Sequence, residues 1–349
     1  MRSWSFLVGV LLVLISLAPA HAASARPRDT WTSQFVTADG NYADAAYGPI
    51  GPAITYTNAS GTSAVHFAYL TTSWHTETLS GSIFYGTALP QLAFDGSGDA
   101  WIAFHELFPN QIALMHRVGP NTWTTATTVS SASLGDLQLA PDGSMALVYL
   151  DDNTDNIVYA TWNGSVLSTS TIAGGEPGEL HFAGSTPTVS YLDSTGGLSF
   201  ARLVGTTWTI SQAATQANGG PSHDLAPSGK PVIAFLTHNN RQEENLRSAR
   251  LVGATSWQRD LVDGNGNTGY GCSLRVGADG EILIAYGQWR LNQGQARLKV
   301  ASRLSGPWTI SVITDNLSLM SHQSVVFDPQ GVAHIAYSAN DGLYWSTRS

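Results

Sequence analysis

One pattern of four short apolar runs recurs along this chain and limits its fold more than any other feature. In the copy at residues 178–213, the runs predict strands at 179–183, 186–192, 198–203 and 207–213. Each run is rich in β-branched and aromatic residues and ends at a glycine or aspartate turn. Such a unit is a four-stranded meander that cannot bury both of its faces, so it must stack on further copies.

Two residues that recur at fixed places in the repeat, a tryptophan and another aromatic residue, give the number of copies. The fourth strand opens with a tryptophan in five copies, and the third copy places an aliphatic residue near Val166 instead. A period of roughly 40–50 residues with four strands per unit is typical of a β-propeller blade. We therefore predict an all-β, seven-bladed β-propeller with four-stranded antiparallel blades. The second strand closes with an aromatic residue at seven places, which are 48, 45, 42, 44, 51 and 51 residues apart: Tyr56, Phe104, Tyr149, Tyr191, Phe235, Tyr286 and Tyr337.

The two ends of the repeat complement each other. Trp31 opens a fourth strand that has no first three, and the chain ends at Ser349 with three strands that have no fourth. We predict that the N-terminal strand completes the last blade and closes the ring. An open array would gain nothing from a divided unit, whereas closure hides strand edges that invite aggregation.

Residues 1–22 have the features of a signal peptide. Arg2 precedes an apolar run, and Ala20-His21-Ala22 has the form of a cleavage site. The apolar run is shorter than the roughly 20 residues that a membrane helix needs. We therefore predict a secreted or periplasmic protein without a membrane span, with residues 23–349 forming a single domain.

Charge and cysteine content exclude some functions. The formal net charge is −9, and Lys230 and Lys299 are the only lysines. No basic stripe is available for a phosphate backbone, so nucleic acid is not an expected partner. Cys272 is the only cysteine, which rules out an intrachain disulfide. We expect it to pack as a small buried apolar residue.

Alignment of the seven predicted inner strands places a polar residue at the same position in each. Three of these residues, Asp44, Asp136 and Glu179, are carboxylates facing a narrow channel. They are candidates to hold Ca²⁺ together with water, or they order channel water alone. No other cofactor is expected. The full set is Asp44, Gln91, Asp136, Glu179, Ser222, Ser273 and Ser324.

The loops after the second strands carry the candidates for ligand binding, because these loops converge on one face of a propeller. A cap on its own turn is the alternative role for Glu106, Asp151 and Asp193. The fifth and sixth copies have the longest insertions, which favours a binding surface there. The candidate ligand-binding residues are Trp289, Arg290, Gln288, Asn239, Asn240, His105, Glu106 and Asp151.

Two catalytic constellations are conceivable at the same face. His223, His238 and Arg241 could neutralise a uronate carboxylate and abstract the neighbouring proton, as in a polysaccharide lyase. Glu106 and Asp151 could instead serve as the carboxylate pair of a glycoside hydrolase.

Several segments resemble the repeats of a known group. The unit LSFARLVGTTWTI and the turns FDPQG, APDG and GADG are similar to those of secreted bacterial seven-bladed propellers of the sialidase-like and BNR-like group, and FDGSGDAW echoes their Asp-box. The group includes glycan-binding lectins and polysaccharide lyases. The resemblance implies a carbohydrate ligand and leaves binding and cleavage open.

Three hypotheses follow for the function. The leading one is a secreted recognition module that binds a glycan at the mouth of the channel, because exposed aromatic residues beside amides and carboxylates suit sugar rings and hydroxyls. The second is a polysaccharide-cleaving enzyme at the same face. The third is a protein-interaction scaffold, for which a broad apolar patch would be expected. The sequence indicates no oligomeric state.

Overall fold

Every regular element among the described residues is a β-strand, which confirms the all-β prediction. The computed structural model of the chain describes residues 30–58, 64–79, 89–238, 243–290, 295–318 and 322–349. The predicted signal peptide (1–22) lies outside the described residues. The first thirteen strands are β1 (Trp31–Thr37), β2 (Asn41–Gly48), β3 (Gly51–Thr57), β4 (Val65–Leu70), β5 (Trp74–Thr78), β6 (Gln91–Phe94), β7 (Ala100–Leu107), β8 (Asn110–Gly119), β9 (Thr122–Ser130), β10 (Ala132–Leu139), β11 (Met145–Asp151), β12 (Asn156–Trp162) and β13 (Leu167–Ala183).

Fourteen further strands complete the described fold. Within the described ranges, no helix is long and apolar enough to cross a membrane. The strands are β14 (Thr186–Asp193), β15 (Leu198–Val204), β16 (Thr207–Ala214), β17 (Ser222–Leu225), β18 (Pro231–His238), β19 (Glu244–Leu251), β20 (Trp257–Asp263), β21 (Thr268–Val276), β22 (Ile282–Arg290), β23 (Gln295–Arg303), β24 (Thr309–Leu317), β25 (Ser324–Phe327), β26 (Ala333–Ala339) and β27 (Gly342–Arg348).

The strands form antiparallel meanders, as the repeat predicts. Three separate four-stranded sheets have the orders β2-β3-β4-β5, β6-β7-β8-β9 and β17-β18-β19-β20. A seven-stranded sheet runs from β10 to β16, and an eight-stranded sheet contains β21 to β27 together with β1. The strand predicted at 179–183 is the end of the longer β13, whose first part pairs with β12 and whose last part pairs with β14. The backbone stays extended there because Gly175 adopts a φ of 143°, which side chains disfavour.

The markers of the repeat are core residues. All seven anchor aromatics lie on second strands and are at most 6% exposed. They are buried because each second strand is covered on both faces by neighbouring sheets. The prediction for the third copy was off by one residue: Leu167 begins the fourth strand and packs on the adjacent core, whereas Val166 is 55% exposed.

The apolar cores lie between consecutive sheets, and one of them joins the two ends of the chain. Val36, Ala45 and Tyr56 from the N-terminal part pack in a single cluster with Val326 and Trp345 from the C-terminal part. The first and last sheets are therefore packed against each other.

Cys272 packs in the core that contains Leu236, Leu274 and Tyr286. It is 5% exposed, which confirms the prediction of a buried apolar role. Burial, and then the charge of Glu179, raise the pKa of its thiol to about 12, so the side chain stays a neutral thiol at physiological pH.

The strand at the N-terminus pairs with the strand at the C-terminus. β1 is antiparallel to β27, with Trp31 opposite Arg348 and Gln34 opposite Trp345. The rings of Trp74 and Trp345 also meet edge to face, with centroids 5.9 Å apart. The predicted pairing of the two ends is thus present.

The first strands contact one another in the order β2, β6, β10, β13, β17, β21 and β25, and β25 contacts β2. They are joined by a repeated contact that we call the inter-strand staple. A side chain at the predicted polar position accepts a hydrogen bond from a backbone N–H of the following first strand. The staples are Leu92 to Asp44 (2.9 Å), Leu180 to Asp136 (2.8 Å), His223 to Glu179 (2.9 Å), Leu274 to Ser222 (2.8 Å), Val325 to Ser273 (3.0 Å) and Ala45 to Ser324 (3.0 Å).

The junction after Gln91 is different. The N–H of Leu137, which would donate to Gln91 in this scheme, donates to Oδ1 of Asp136 at 2.7 Å. The staples explain why the position is polar in the other six copies: a buried backbone N–H must find an acceptor.

The staple between the last and first strands provides a test of this interpretation. Ser324 Oγ accepts from Ala45 N–H and donates to Asp44 Oδ1 at 2.9 Å. Ser324→Ala leaves a buried donor and a buried carboxylate oxygen without these partners. We expect the free energy of unfolding, measured in urea, to fall by about 1–3 kcal/mol. Ser228→Ala, in an exposed turn, is the control; equal stability of the two variants would contradict the role of the staple.

Candidate functional site

A cavity of about 340 Å³ among the first strands is lined by the charged or titratable side chains of Asp44, Asp136, His181, Asp224 and Arg275. Glu179 contacts His181 and Arg275 beside it. We call Asp136, Glu179, His181, Asp224 and Arg275 the inner cluster. Arg275 Nη1 donates to Glu179 Oε2 at 3.1 Å. The His181 ring lies between two carboxylates, with Nε2 3.5 Å from Glu179 Oε2 and Nδ1 3.7 Å from Asp224 Oδ1.

The environment shifts the pKa values of Asp136 and Glu179 in opposite directions. Burial, and then the nearby charge of Glu179, raise the pKa of Asp136 to about 7. Burial alone would also raise the pKa of Glu179, but Arg275 and then His181 outweigh it and hold that pKa at about 2. The cluster therefore carries an ionised Glu179 beside an Asp136 that takes up a proton near neutral pH.

The carboxylates predicted to face the channel are all in the staples. Asp44 accepts from Leu92 and Ser324, and Glu179 accepts from Ser222 and His223 as well as from Arg275. Their oxygens thus have donors on the protein itself. Binding of Ca²⁺ by Asp44, Asp136 and Glu179 stays a prediction.

His223 is a core residue in this geometry. Its side chain is fully buried, with Nδ1 3.0 Å from Ser190 Oγ and Nε2 3.3 Å from Thr188 Oγ1. Burial, and then the charge of His181, lower its pKa well below the ordinary value for histidine. The structure does not bring it to His238: His223 pairs with Ile233 of β18, and His238 is five residues further along that strand.

A second group of side chains lies at the opposite end of the first strands, where the loops after the second strands meet. We call Asn218, His238, Glu244, Tyr270 and Trp289 the rim site. Asn218 Nδ2 donates to Glu244 Oε1 at 3.1 Å and lies 2.8 Å from His238 Nε2. The Tyr270 and Trp289 rings meet edge to face, with centroids 5.9 Å apart. Two predicted residues, His238 and Trp289, are therefore linked through contacts that the sequence did not reveal.

The loops around the rim site are fixed by hydrogen bonds to the backbone. Asn218 N–H donates to Leu236 O, and Trp289 N–H donates to Asn267 O. Glu244 N–H in turn donates to Asn267 Oδ1 at 3.2 Å. These bonds hold the two aromatic rings and the carboxylate in place before any ligand arrives.

Tyr270 keeps its proton in this setting. Burial, and then the hydrogen bond and negative charge of Glu244, raise the pKa of its hydroxyl. The side chain is still 37% exposed. With its proton directed to Glu244, the hydroxyl oxygen can accept a hydrogen bond from a ligand, whereas the ionised form is disfavoured at neutral pH.

Other predicted residues of this region have different positions. Gln288 is buried and donates to Asn265 O at 2.6 Å, so it fastens the loop before β21. Asn239, Asn240 and Arg241 lie outside the described residues, as does the side chain of Arg290.

The remaining predicted residues lie on the second and third copies. His105 Nε2 is 2.6 Å from Asn110 Oδ1, and Glu106 accepts from Gln111 at 2.6 Å. Asp151 accepts from Asn153 N–H at 3.0 Å, as expected for a cap on its own turn. No hydrogen bond joins Glu106 to Asp151 among the described residues, and their role as a carboxylate pair stays a prediction.

Asp193 has the predicted capping role. Its Oδ1 accepts from the N–H groups of Thr195 and Gly197 at 3.0 and 2.9 Å. Burial would raise its pKa, but hydrogen bonds from Thr195, Gly197 and Ser199 outweigh it and lower the pKa to about 2.

Sequence reasoning missed several residues of both groups. His181, Asp224 and Arg275 each follow a staple position by two residues and so share its face of the strand, a signal that was available. Asn218 lies in the loop before β17, and Tyr270 lies in the irregular first part of β21, where register shifts interrupt the alternation that would identify it.

Comparisons with known proteins show the fold. No protein-family model matches the sequence, and no curated protein sequence matches it. Among solved structures, a polysaccharide lyase of family PL25, an ulvan lyase bound to -[GlcA(1-4)Rha3S]-, is 13% identical and superposes with a TM-score of 0.65 over 91% of this chain and 95% of that chain. The Cps50 (Swd1) β-propeller domain of Myceliophteria thermophila has 13% identity and a TM-score of 0.59 over 92% and 99%. SapL1 lectin in complex with alpha methyl fucoside has 12% identity and a TM-score of 0.52 over 79% and 96%. The chain thus has a β-propeller fold.

The raised pKa of Asp136 predicts how the stability of the protein depends on pH. Its folded pKa of about 7 exceeds the ordinary value of about 4, so the native state retains a proton that the unfolded chain releases. This contribution is complete below about pH 4 and is lost as the pH rises through about 7. Asp136→Asn should therefore lose less stability than the wild type between pH 5 and 8, measured by thermal unfolding. Asp151→Asn, on the surface, should keep the wild-type dependence; an unchanged slope for Asp136→Asn would contradict the assignment.

Proposed function

We propose that this chain is a secreted, seven-bladed β-propeller that binds a carbohydrate at the rim site. Residues 23–349 would form one domain whose ring closes where β1 completes the last blade. The cyclic order of contacts among the seven first strands supports this architecture, because β25 contacts β2. The core that joins Val36 to Trp345 and the staple from Ala45 to Ser324 support it at the same seam.

The carbohydrate is inferred from the chemistry of the rim site. Sugars present apolar ring faces and hydroxyl edges, and binding sites for them need aromatic surfaces beside hydrogen-bonding groups. The Tyr270–Trp289 pair offers the aromatic surface. The hydrogen-bonding groups are those of Glu244, Asn218 and His238. This adjacency is the observation that carries the proposal. Two proteins of similar fold, the ulvan lyase and SapL1, hold carbohydrates in their structures.

The hydrogen bonds favour binding over cleavage. Asn218 Nδ2 points to the Glu244 carboxylate, which fixes the orientation of the amide and makes the same nitrogen the donor to His238 Nε2. The lone pair of that histidine nitrogen is then engaged and cannot take a proton from a sugar. Tyr270, with its raised pKa, is likewise a hydrogen-bond donor and not a base.

The enzymatic alternative has less support in this geometry. A lyase built on His223, His238 and Arg241 needs these groups around one reacting atom, and His223 is fully buried with both ring nitrogens bonded to hydroxyls. The binding experiment below therefore treats cleavage and protein binding as alternative outcomes.

Glycan binding can be tested with the purified mature protein. An oligosaccharide array with neutral, fucosylated and uronate-containing chains selects the strongest ligand, and calorimetry then measures its dissociation constant. Trp289→Ala should weaken binding at least about tenfold, because a buried aromatic anchor contributes 2 kcal/mol or more. Tyr270→Phe should weaken it by about three- to tenfold, the value of one hydrogen bond.

Phe108→Ala provides the matched control, since Phe108 is a 79% exposed aromatic residue in the loop between the second and third strands of another sheet. It should bind like the wild type. Loss of binding in Phe108→Ala but not in Trp289→Ala would place the ligand elsewhere. A silent array would overturn the carbohydrate assignment. Unsaturated uronate products that depend on His238 would show a lyase instead.

A further inference from the structure

We infer a binding site for a transition-metal ion at the turn between β6 and β7. Asp95 and Asp99 lie in this turn, and His116 lies on β8 directly behind it. We call these three residues the turn site. Their ligand atoms all lie within 4.8 Å of one another. The turn site involves none of the residues of the rim site or the inner cluster.

The separations fit a metal ion. His116 Nε2 is 3.8 Å from Asp95 Oδ2 and 3.8 Å from Asp99 Oδ2. A point equidistant from three atoms so arranged is about 2.2 to 2.5 Å from each, and zinc bonds to nitrogen and oxygen are about 2.0 to 2.2 Å long. A small inward movement of Asp99, whose side chain is 54% exposed, would complete the contacts.

The His116 nitrogen that faces this point is unused by the protein. Nε2 is buried and has no hydrogen-bond partner among the described residues. At 3.8 Å, both carboxylates are too distant to accept a hydrogen bond from it. A buried polar atom without a partner is costly, and a bound metal ion would remove that cost. Arg117, the next residue along the strand, is paired with Glu77 at 2.6 Å and does not enter the space between His116 and the two aspartates.

Two of the three ligands are already fixed in orientation. The His116 ring stacks on Trp101, with centroids 4.2 Å apart and planes 16° apart. Asp95 Oδ1 accepts from Ser97 N–H at 2.8 Å and from Asp99 N–H at 3.0 Å. Asp95 Oδ2 accepts from Trp101 Nε1 at 2.9 Å, a contact of the kind that orients metal ligands. A site whose ligands are fixed in advance binds with a smaller loss of conformational entropy.

The donor set selects the class of metal. One imidazole nitrogen with two carboxylate oxygens suits zinc and its first-row neighbours, whereas calcium prefers oxygen ligands alone. The exposure of Asp99 leaves room for water to complete the coordination shell. The two aspartate side chains also give the site negative charge that attracts a cation.

Zinc and cobalt titrations of the untagged mature protein test this site after treatment with a chelator. Calorimetry should show one equivalent of Zn²⁺ bound, and Co²⁺ should give a visible absorption band of the bound ion. His116→Ala and Asp99→Asn should each weaken Zn²⁺ binding at least about tenfold, consistent with loss of a direct ligand. His75→Ala, which removes an exposed histidine bonded to Thr71, should leave binding unchanged.

The other outcomes would overturn the site. If Zn²⁺ does not bind, His116 packs on Trp101 without holding a metal ion, and the inference fails. If Zn²⁺ binds equally to the wild type, His116→Ala and Asp99→Asn, the ion is held elsewhere. Loss of binding only in His223→Ala would locate it at Glu179, His181 and His223, the other described cluster of suitable spacing. Circular dichroism confirms folding, and the exposed Asp99 makes Asp99→Asn the variant least prone to misfold.

Discussion

The inter-strand staple is the contact on which the rest of this structure depends. Adjacent first strands approach one another without forming a ladder, so their backbone N–H groups would lack partners inside the protein. A side-chain oxygen one position earlier on the neighbouring strand supplies the acceptor, as in the bond from Val325 to Ser273. The same contact at Ser324 and Ala45 joins the end of the chain to its beginning. The first strands are thus joined to one another by polar bonds, while apolar cores fill the space between sheets.

The staples also determine what the cavity can contain. When the acceptor is a carboxylate, as in Asp136 and Glu179, a negative charge is buried and needs compensation. Arg275 and His181, two residues further along their strands, compensate the charge of Glu179. Asp136 is compensated less and takes up a proton near neutral pH instead. The inner cluster is therefore a consequence of the contacts between first strands. The rim site lies at the ends of its strands, where no staple is required and side chains are available to a ligand.

The strands and their order were predictable because they obey a local rule. Alternation, turn residues and the buried aromatics identify each strand of the copy around Tyr191 to within one or two residues, except where β13 continues through two units. The polar position of the first strands was also recognised, although its purpose was not, because a hydrogen bond to another strand leaves no trace in the spacing. At the rim, His238 and Trp289 were found from their place after second strands. Asn218 was not, since it lies in a loop without a period, and Tyr270 was not, since register shifts interrupt the start of β21.

The sequence by itself determined the meander, its repetition and the complementary ends at Trp31 and Ser349, because these follow from backbone preferences and from the burial of apolar faces. Only the tertiary structure decided which polar side chains have partners within the protein. It buried His223 between two hydroxyls, left His116 Nε2 without a hydrogen-bond partner in the part of the chain that the structure describes, and placed Glu244 beside Tyr270. Hydrogen bonding and charge act over a few ångströms between residues far apart in the chain, and that proximity exists only after folding.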